Sequence, residues 1–236
     1  MRGIFLVAIF INILGVGVQS KEIWAQEEEA EVQINDPWEP FNQAMFTFNL
    51  KVDEYALRPV AKAYDAILPD AAQRGVGRFL RNLGVVERFA NNLFQGKFPR
   101  AGQEVGRFLV NTTMGCAGFL DVADPLFGWQ EHPEDFGQTL AVYGVDNGPY
   151  LVLPFLGPST VRDVTGAAVD GALNPMNYFL SSLQVFAIKG GIGVASVVNF
   201  RSMNLNLLEN IQSSSVDMYG ALQDGYIQRR EKLIKE

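Results

Sequence analysis

NDPWEPFNQAMFTFN, Asn35 to Asn49, sets five large apolar side chains (Trp38, Phe41, Met45, Phe46 and Phe48) against two charges, Asp36 and Glu39. Phe41, Met45, Phe48, Val52 and Tyr55 recur at steps of three and four, which predicts a helix. Asp36-Pro37 predicts its start, with Asp36 as N-cap and proline in the first turn. Arg58-Pro59 predicts its end near Leu57, and a second segment, Val60 to Ile67, stops at Leu68-Pro69.

The same period continues downstream. Between Ala71 and Phe94, Val76, Phe79, Leu80 and Leu83 mark one apolar face and Val86, Phe89, Leu93 and Phe94 another, with Gly84 between two helices. Pro99 opens a further helix carrying Val105, Phe108 and Leu109, which runs into MGCAGF. Asp121 to Asp163 is rich in Gly and Pro and predicts loops, short turns and a two-stranded hairpin around Asp146-Asn147-Gly148. Ser159 or Thr160 caps the next helix, which ends by Asn174-Pro175.

YFLSSLQVFAIKGGIGVASVVNF, residues 178–200, has Lys189 as its only charge. Gly190, Gly191 and Gly193 each weaken a helix by about 1 kcal/mol relative to Ala. Two buried or membrane-lying pieces are expected, meeting at a glycine hinge. The alternative is close helix packing at the glycines, in which case Gly191→Ala costs stability. Helices at Met203–Ile211 and Val216–Leu233 complete a chain that is mainly α.

Upstream, residues 1–20 have the pattern of a secretory signal: Arg2, an apolar run from Ile4 to Val18, then Val18 and Ser20 at a cleavage site. Residues 21–34 form an acidic lead-in, and residues 35–236 are expected to be a single helical domain. Cys116 is the only cysteine, so no disulfide framework is expected, and the signal ends without a lipid-accepting cysteine. Charged residues make up 19% and the net charge is −7. That charge argues against a nucleic-acid partner; Arg74, Arg78 and Arg81 are the densest basic group.

Catalytic constellations are sparse. His132 is the only histidine, and no GxSxG, HExxH or CxxC motif occurs. His132, in EHPEDFG, is expected to be a loop histidine bonded to its neighbours, and Cys116 a small residue packed where a helix ends. No catalytic residue, metal ligand or cofactor is expected.

NDPWEPFNQAMFTFN, RPVAKAY (Arg58 to Tyr64), FGQTLAVYGVDNGPYLVLPFLGPSTVRD (Phe136 to Asp163) and NPMNYF (Asn174 to Phe179) resemble the VacJ/MlaA family, from about Asn35 to Lys232. The resemblance implies a ring-like bundle of amphipathic helices with a Gly/Pro-rich central loop or short hairpin. It implies a place on the periplasmic side of the outer membrane. There, mislocalised phospholipid leaves the outer leaflet through an amphipathic channel and passes to a periplasmic lipid carrier. Trimeric porins are partners it also implies; no cofactor is involved. Phe41 and Asn42 are then candidates near the pore. Phe46, Tyr143, Gly144, Tyr150 and Arg162 are further lipid-path candidates, and Gly190, Gly191 and Gly193 hinge candidates. The central run either lines or gates the channel, or fixes turns while Arg162 and Asp163 pair inside the fold. Two other functions stay open: a soluble periplasmic lipid-binding or scaffold protein, and a lipid-acting enzyme using His132.

Overall fold

The computed structural model describes residues 34–174, 176–214 and 217–236. The expected signal and all of the expected acidic lead-in except Ile34 lie outside the described residues.

The aromatic stretch forms α1, Glu39–Val52, but it does not stop at Leu57. A π-helical turn, Asp53–Leu57, carries the chain straight into α2, Arg58–Ile67. Pro59 lacks an N–H and crowds the preceding turn of a helix. A wider π turn just before it lets the rod continue. Asp36 is not the N-cap either. Trp38 holds that position, and the Asp36 carboxylate instead accepts hydrogen bonds from Asn42 (2.7 Å), Gln223 (3.0 Å) and Tyr219.

Gly84 separates α3, Asp70–Leu83, from α4, Val85–Phe94. Pro99 sits in the first turn of α5, Phe98–Thr113. Cys116 and Ala117 then adopt positive φ (51° and 59°). Cys116 is exposed at that turn rather than packed. The middle of the chain holds α6, Ala123–Phe127, and α7, Phe136–Val142. The hairpin lies further on than expected: β1, Tyr150–Leu153, pairs antiparallel with β2, Gly157–Thr160. Its turn is Pro154-Phe155-Leu156, made with positive φ at Phe155 and Gly157. Thr160 caps α8, Val161–Leu173, by accepting the Asp163 N–H at 3.2 Å. Then come α9, Met176–Phe179; α10, Ser182–Met203; α11, Leu205–Ser214; and α12, Met218–Lys235.

No hinge interrupts α10, which is one helix of 22 residues. Ser181 starts it with a capping box made with Gln184, and a good start offsets part of the glycine cost. A Cβ at Gly190, Gly191 or Gly193 would meet nothing within 4 Å, so the packing reading has no neighbour to pack against among the described residues. Gly191→Ala is therefore expected to stabilise the helix by up to about 1 kcal/mol. A lower melting temperature for this variant would count against that placement.

The interior is inverted. Among the described residues only seven hydrophobic residues are buried, against twenty polar or charged ones. Thirty-four large hydrophobic side chains are exposed. The central helices turn Asn, Gln, Glu or Arg inward: Gln73 and Asn82 on α3, Asn91 and Asn92 on α4, Glu104, Arg107 and Asn111 on α5. The apolar faces legible in the sequence are thus real, but they look outward.

Polar pairing holds the fold together. Glu104, fully buried, takes Arg88 at 2.6 Å and joins α4 to α5. Asp170 of α8 accepts Asn91 (2.7 Å) and the Phe136 N–H (2.9 Å), tying α8 to α4 and α7. Arg201 holds Asp53 with two bonds of 2.7 and 3.1 Å. Buried polar groups are tolerable only when paired in this way.

One carboxylate in this region is poorly served. Burial pushes the Glu87 carboxyl up from its ordinary 4.5, the Asn174 contact opposes it, and Asp170 adds to the push. A raised folded-state pKa means that the ionised form weakens the fold above that pKa. The penalty is absent below the unfolded value. Glu87→Gln is expected to raise the melting temperature at pH 7 and to change it little at about pH 3. An equal shift at both values would remove the electrostatic cause.

Candidate functional site

Helix α3 is the spine of the site. In DAAQRGVGRFLRNL, Arg74, Arg78 and Arg81 stand four and three residues apart, which places them on one face. Three crevices follow this helix. Near its start a cavity of about 520 Å³ lies between Asp70, Gln73 and Arg74 and the segment Ser202–Leu207. Next comes one of about 370 Å³ between Gly77, Leu80 and Arg81 and the α10 residues Ser196, Asn199, Phe200 and Met203. At the far end a small one, about 20 Å³, is lined by Arg78, Arg81, Asn82, Arg88, Arg107, Asn111, Asp121 and Glu131. The first two share Met203 and Asn204, and the last two share Arg81. Together they follow the helix from Asp70 to Asn82, about 18 Å at 1.5 Å per residue.

The walls mix two chemistries. Leu80 from α3 and Phe200 and Met203 from α10 bring apolar surface to the middle crevice, and Arg81, Asn199 and Asn204 bring a guanidinium and two amides. The C-terminal half of α10 is held against α2 and α3 by polar bonds: Tyr64 donates to Asn199 at 3.0 Å and Ser202 to Gln73 at 2.8 Å. A Cβ at Gly77 would meet the Asn199 amide at 3.1 Å, so this glycine permits the close approach. Such a mixed lining suits an amphiphile, whose head wants hydrogen-bond donors and whose tail wants apolar surface.

The residues singled out in the sequence fall in several places. Asn42 is fully buried and uses its whole amide: it donates to Asp36 and to the Tyr150 carbonyl (3.0 Å) and accepts the Val152 N–H (2.8 Å). It thereby fastens α1 to β1. Tyr150 is buried beside it, edge-on to Tyr219 and Tyr226. Burial, with the Asp36 charge second, pushes the Tyr150 hydroxyl up to about 12. Phe46 packs edge-on against Tyr219 at 5.7 Å. Asn42, Phe46 and Tyr150 are thus brought together. Phe41 is exposed, and so is Tyr143, whose hydroxyl donates to the Phe94 carbonyl at 2.6 Å. Gly144 closes α7 with φ of 84° and donates to the Ala141 carbonyl, a left-handed cap that glycine makes without strain. Arg162 is buried, donating to Asp163 (3.2 Å) and the Val145 carbonyl (3.3 Å). Its Nη2 has no hydrogen-bond partner. Gly190, Gly191 and Gly193 lie upstream of Ser196, where the α10 wall of the crevice begins.

His132 lies in a separate polar crevice with Arg100, Glu131, Glu134 and Glu236. Its ring bonds Gln103 at 3.0 Å. Burial first and Arg100 second hold its pKa below the ordinary value. Among the described residues no group of three or more His, Cys, Asp or Glu is placed to hold a metal ion.

Arg74, Arg78 and Arg81 were visible in the sequence only as a basic group. Their spacing was the available signal. What gives it weight is that Arg88 and Arg107, from the next two helices, close on the crevice that Arg78 and Arg81 line.

A polar interior, an apolar exterior and a crevice that joins guanidinium and amide groups to apolar side chains mark the class: a helical protein whose outside and crevices both suit contact with an amphiphile. The comparisons agree in kind: the chain matches the sequence model of the MlaA lipoprotein family over residues 34–233 and belongs to that family. An uncharacterized protein of Rickettsia felis is 33% identical over 211 residues, covering 89% of this chain and 82% of that one. The intermembrane phospholipid transport system lipoprotein MlaA of Escherichia coli is 34% identical over 201 residues, covering 84% and 77%. A solved structure from work on the maintenance of bacterial outer membrane lipid asymmetry aligns with a TM-score of 0.71 and 32% identity. It covers 85% of this chain and 99% of its own.

Proposed function

We propose that this protein is an outer-membrane-associated component of phospholipid transport. It takes mislocalised phospholipid from the outer leaflet along an amphipathic path and passes it to a periplasmic carrier. The observation that carries this reading is the inverted interior joined to the crevices along α3. Burying twenty polar residues while exposing thirty-four large hydrophobic ones is unfavourable in water and favourable against acyl chains. Each CH₂ of a lipid tail held out of water is worth about 0.8 kcal/mol. Apolar surface along the first two crevices therefore lowers the barrier to moving a lipid, and guanidinium groups replace water at its head. No bond is made or broken. Direction comes from the carrier's affinity for the lipid, because a passive path cannot set it.

Within this reading the exposed Phe41 and Tyr143 meet acyl chains. Asn42, Tyr150 and Arg162 hold the frame that positions them. The protein sits on the periplasmic side of the outer membrane, where a trimeric porin is a compatible neighbour.

The test is complementation. This chain is expressed in a Gram-negative strain lacking its own family member, and outer-leaflet phospholipid is measured. A fall in surface phospholipid is expected. No fall, with the protein present in the outer-membrane fraction, would overturn the reading. Recovery of the folded chain in the soluble periplasm without detergent would favour a soluble lipid-binding role instead.

A further inference from the structure

The crevice at the end of α3 carries positive charge that the fold does not consume. Glu131 is shared by Arg81 at 3.1 Å and Arg88 at 3.4 Å. Glu104 takes Arg88 and the His132 N–H, and Asp121 takes Arg107 at 2.9 Å and Asn111 at 3.1 Å. Arg78 lines the same crevice and makes no ion pair or hydrogen bond among the described residues. Four guanidinium groups against three carboxylates leave one net positive charge. Guanidinium keeps its proton at any working pH, so the charge calls for an anion.

The place for that anion is the mouth of the crevice. The cavity, about 20 Å³, has room for roughly one water. Arg81, however, is 58% exposed at its side chain and can swing to meet a ligand there. Arg81 also borders the adjoining slot of about 370 Å³, with Leu80, Phe200 and Met203 on its walls. A cationic mouth opening beside an apolar slot fits a phosphate with a hydrocarbon tail.

We propose that Arg78 and Arg81, with Arg88 and Arg107 behind them, form a phosphate-binding station selective for anionic phospholipids, those whose headgroup carries no amine. This rests on the transport reading above and adds a headgroup preference to it. A zwitterionic lipid brings the same phosphate together with an ammonium. That ammonium would find Glu104, Glu131 and Asp121 already engaged and four guanidinium groups as neighbours, and like charges at close range repel. A monoanionic head, by contrast, balances the station's charge and accepts the planar donor fork of Arg78.

The experiment uses the purified full chain in detergent. It is mixed with nanodiscs holding equal phosphatidylglycerol and phosphatidylethanolamine and repurified, and bound lipid is measured by mass spectrometry. Phosphatidylglycerol is expected to be enriched about tenfold, the scale of one charge-assisted hydrogen bond. Arg78→Gln should bring phosphatidylglycerol uptake down to the level of phosphatidylethanolamine, and Arg78→Lys should retain most of the enrichment. Melting temperatures of both variants show whether they are folded. If only Arg78→Gln is unfolded, the wild-type enrichment and the lysine variant decide.

Equal uptake of the two lipids by the wild type, or enrichment unmoved in folded Arg78→Gln, overturns the station while leaving transport intact. No lipid uptake at all overturns both. A parallel titration with inorganic phosphate separates the sources. Phosphate binding that is lost in Arg78→Gln, without any lipid enrichment, would mean a free-phosphate site and overturn the lipid assignment.

Discussion

Arg230→Met is expected to destabilise the fold by about 3–5 kcal/mol, the usual cost of leaving buried charges unpartnered. Arg230 sits in the last third of α12 and reaches two carboxylates on different elements. It pairs with both oxygens of Asp135, the N-cap of α7, and with Asp163 in the first turn of α8 at 2.8 Å. Asp163 also accepts Tyr226 at 2.6 Å and Arg162. Burial opposes the charge on Arg230, but Asp135 and Asp163 outweigh it and hold the guanidinium charged more firmly than usual. Taking Arg230 away leaves Asp163, 8% exposed, with Arg162 alone to balance it, and releases α12 from α7.

Total stabilities of about 5–15 kcal/mol make such a loss close to unfolding. Urea denaturation measures it. The double variant Arg230→Met with Asp163→Asn should cost less than the sum of the two singles, since the second change removes a charge that the first stranded. Strict additivity, or a loss under about 1 kcal/mol, would mean that the knot is not what fastens α12.

The second large effect is on membrane association. Phe186→Asp or Val194→Asp in α10 is expected to move the protein out of the membrane fraction. An aspartate at the centre of a helix immersed in hydrocarbon costs about 2.5–3.5 kcal/mol, roughly a hundredfold in partitioning. The helix has a mean hydropathy of 1.4 over its most apolar window, and only 6% of that window is buried inside the protein. Phe186 and Val194 are 77% and 66% exposed. Neither change touches the polar interior, so denaturation in detergent should shift by less than about 0.5 kcal/mol. A folded variant that still floats with outer-membrane vesicles in a density gradient would show that α10 is not the membrane contact.

Much of the helical outline was legible because it depends on local chemistry. Gly84, Pro99 and Leu68-Pro69 end or open helices through their own backbone limits, and Thr160 caps α8 with its own hydroxyl. Departures came where a distant partner decided. Asp36 has the side chain of an N-cap, yet Asn42, Gln223 and Tyr219 compete for its oxygens and win. Pro59 should stop a helix, yet a π turn accommodates it, and Asp53 in that turn is gripped by Arg201 about 150 residues later. The glycines of α10 read as a hinge because isolated helix propensity is all that a window of sequence can weigh. A 22-residue helix with a capping box, anchored at its far end by Asn199, Arg201 and Ser202, outlasts that local penalty.

The candidate site was legible in part. Motif resemblance led to Asn42, Tyr150 and Arg162, and all three proved to be tightly bonded within the fold. The crevices themselves lie along α3, where three arginines at helical spacing were on view but without meaning. Their meaning depends on Arg88 and Arg107 arriving from α4 and α5, and on Leu80 facing Phe200 across to α10.

The sequence by itself determined a mainly helical chain, the periodic apolar faces, several helix ends, and membership in a family. These follow from backbone conformational limits and side-chain spacing, which act within a few residues. Only the tertiary structure decided which face of each helix is the inside. Amphipathicity has no sign until the surroundings are known. In water the apolar face turns inward, whereas here Asn, Gln, Glu and Arg pair with one another in the interior and leave Phe, Leu and Val to the outside.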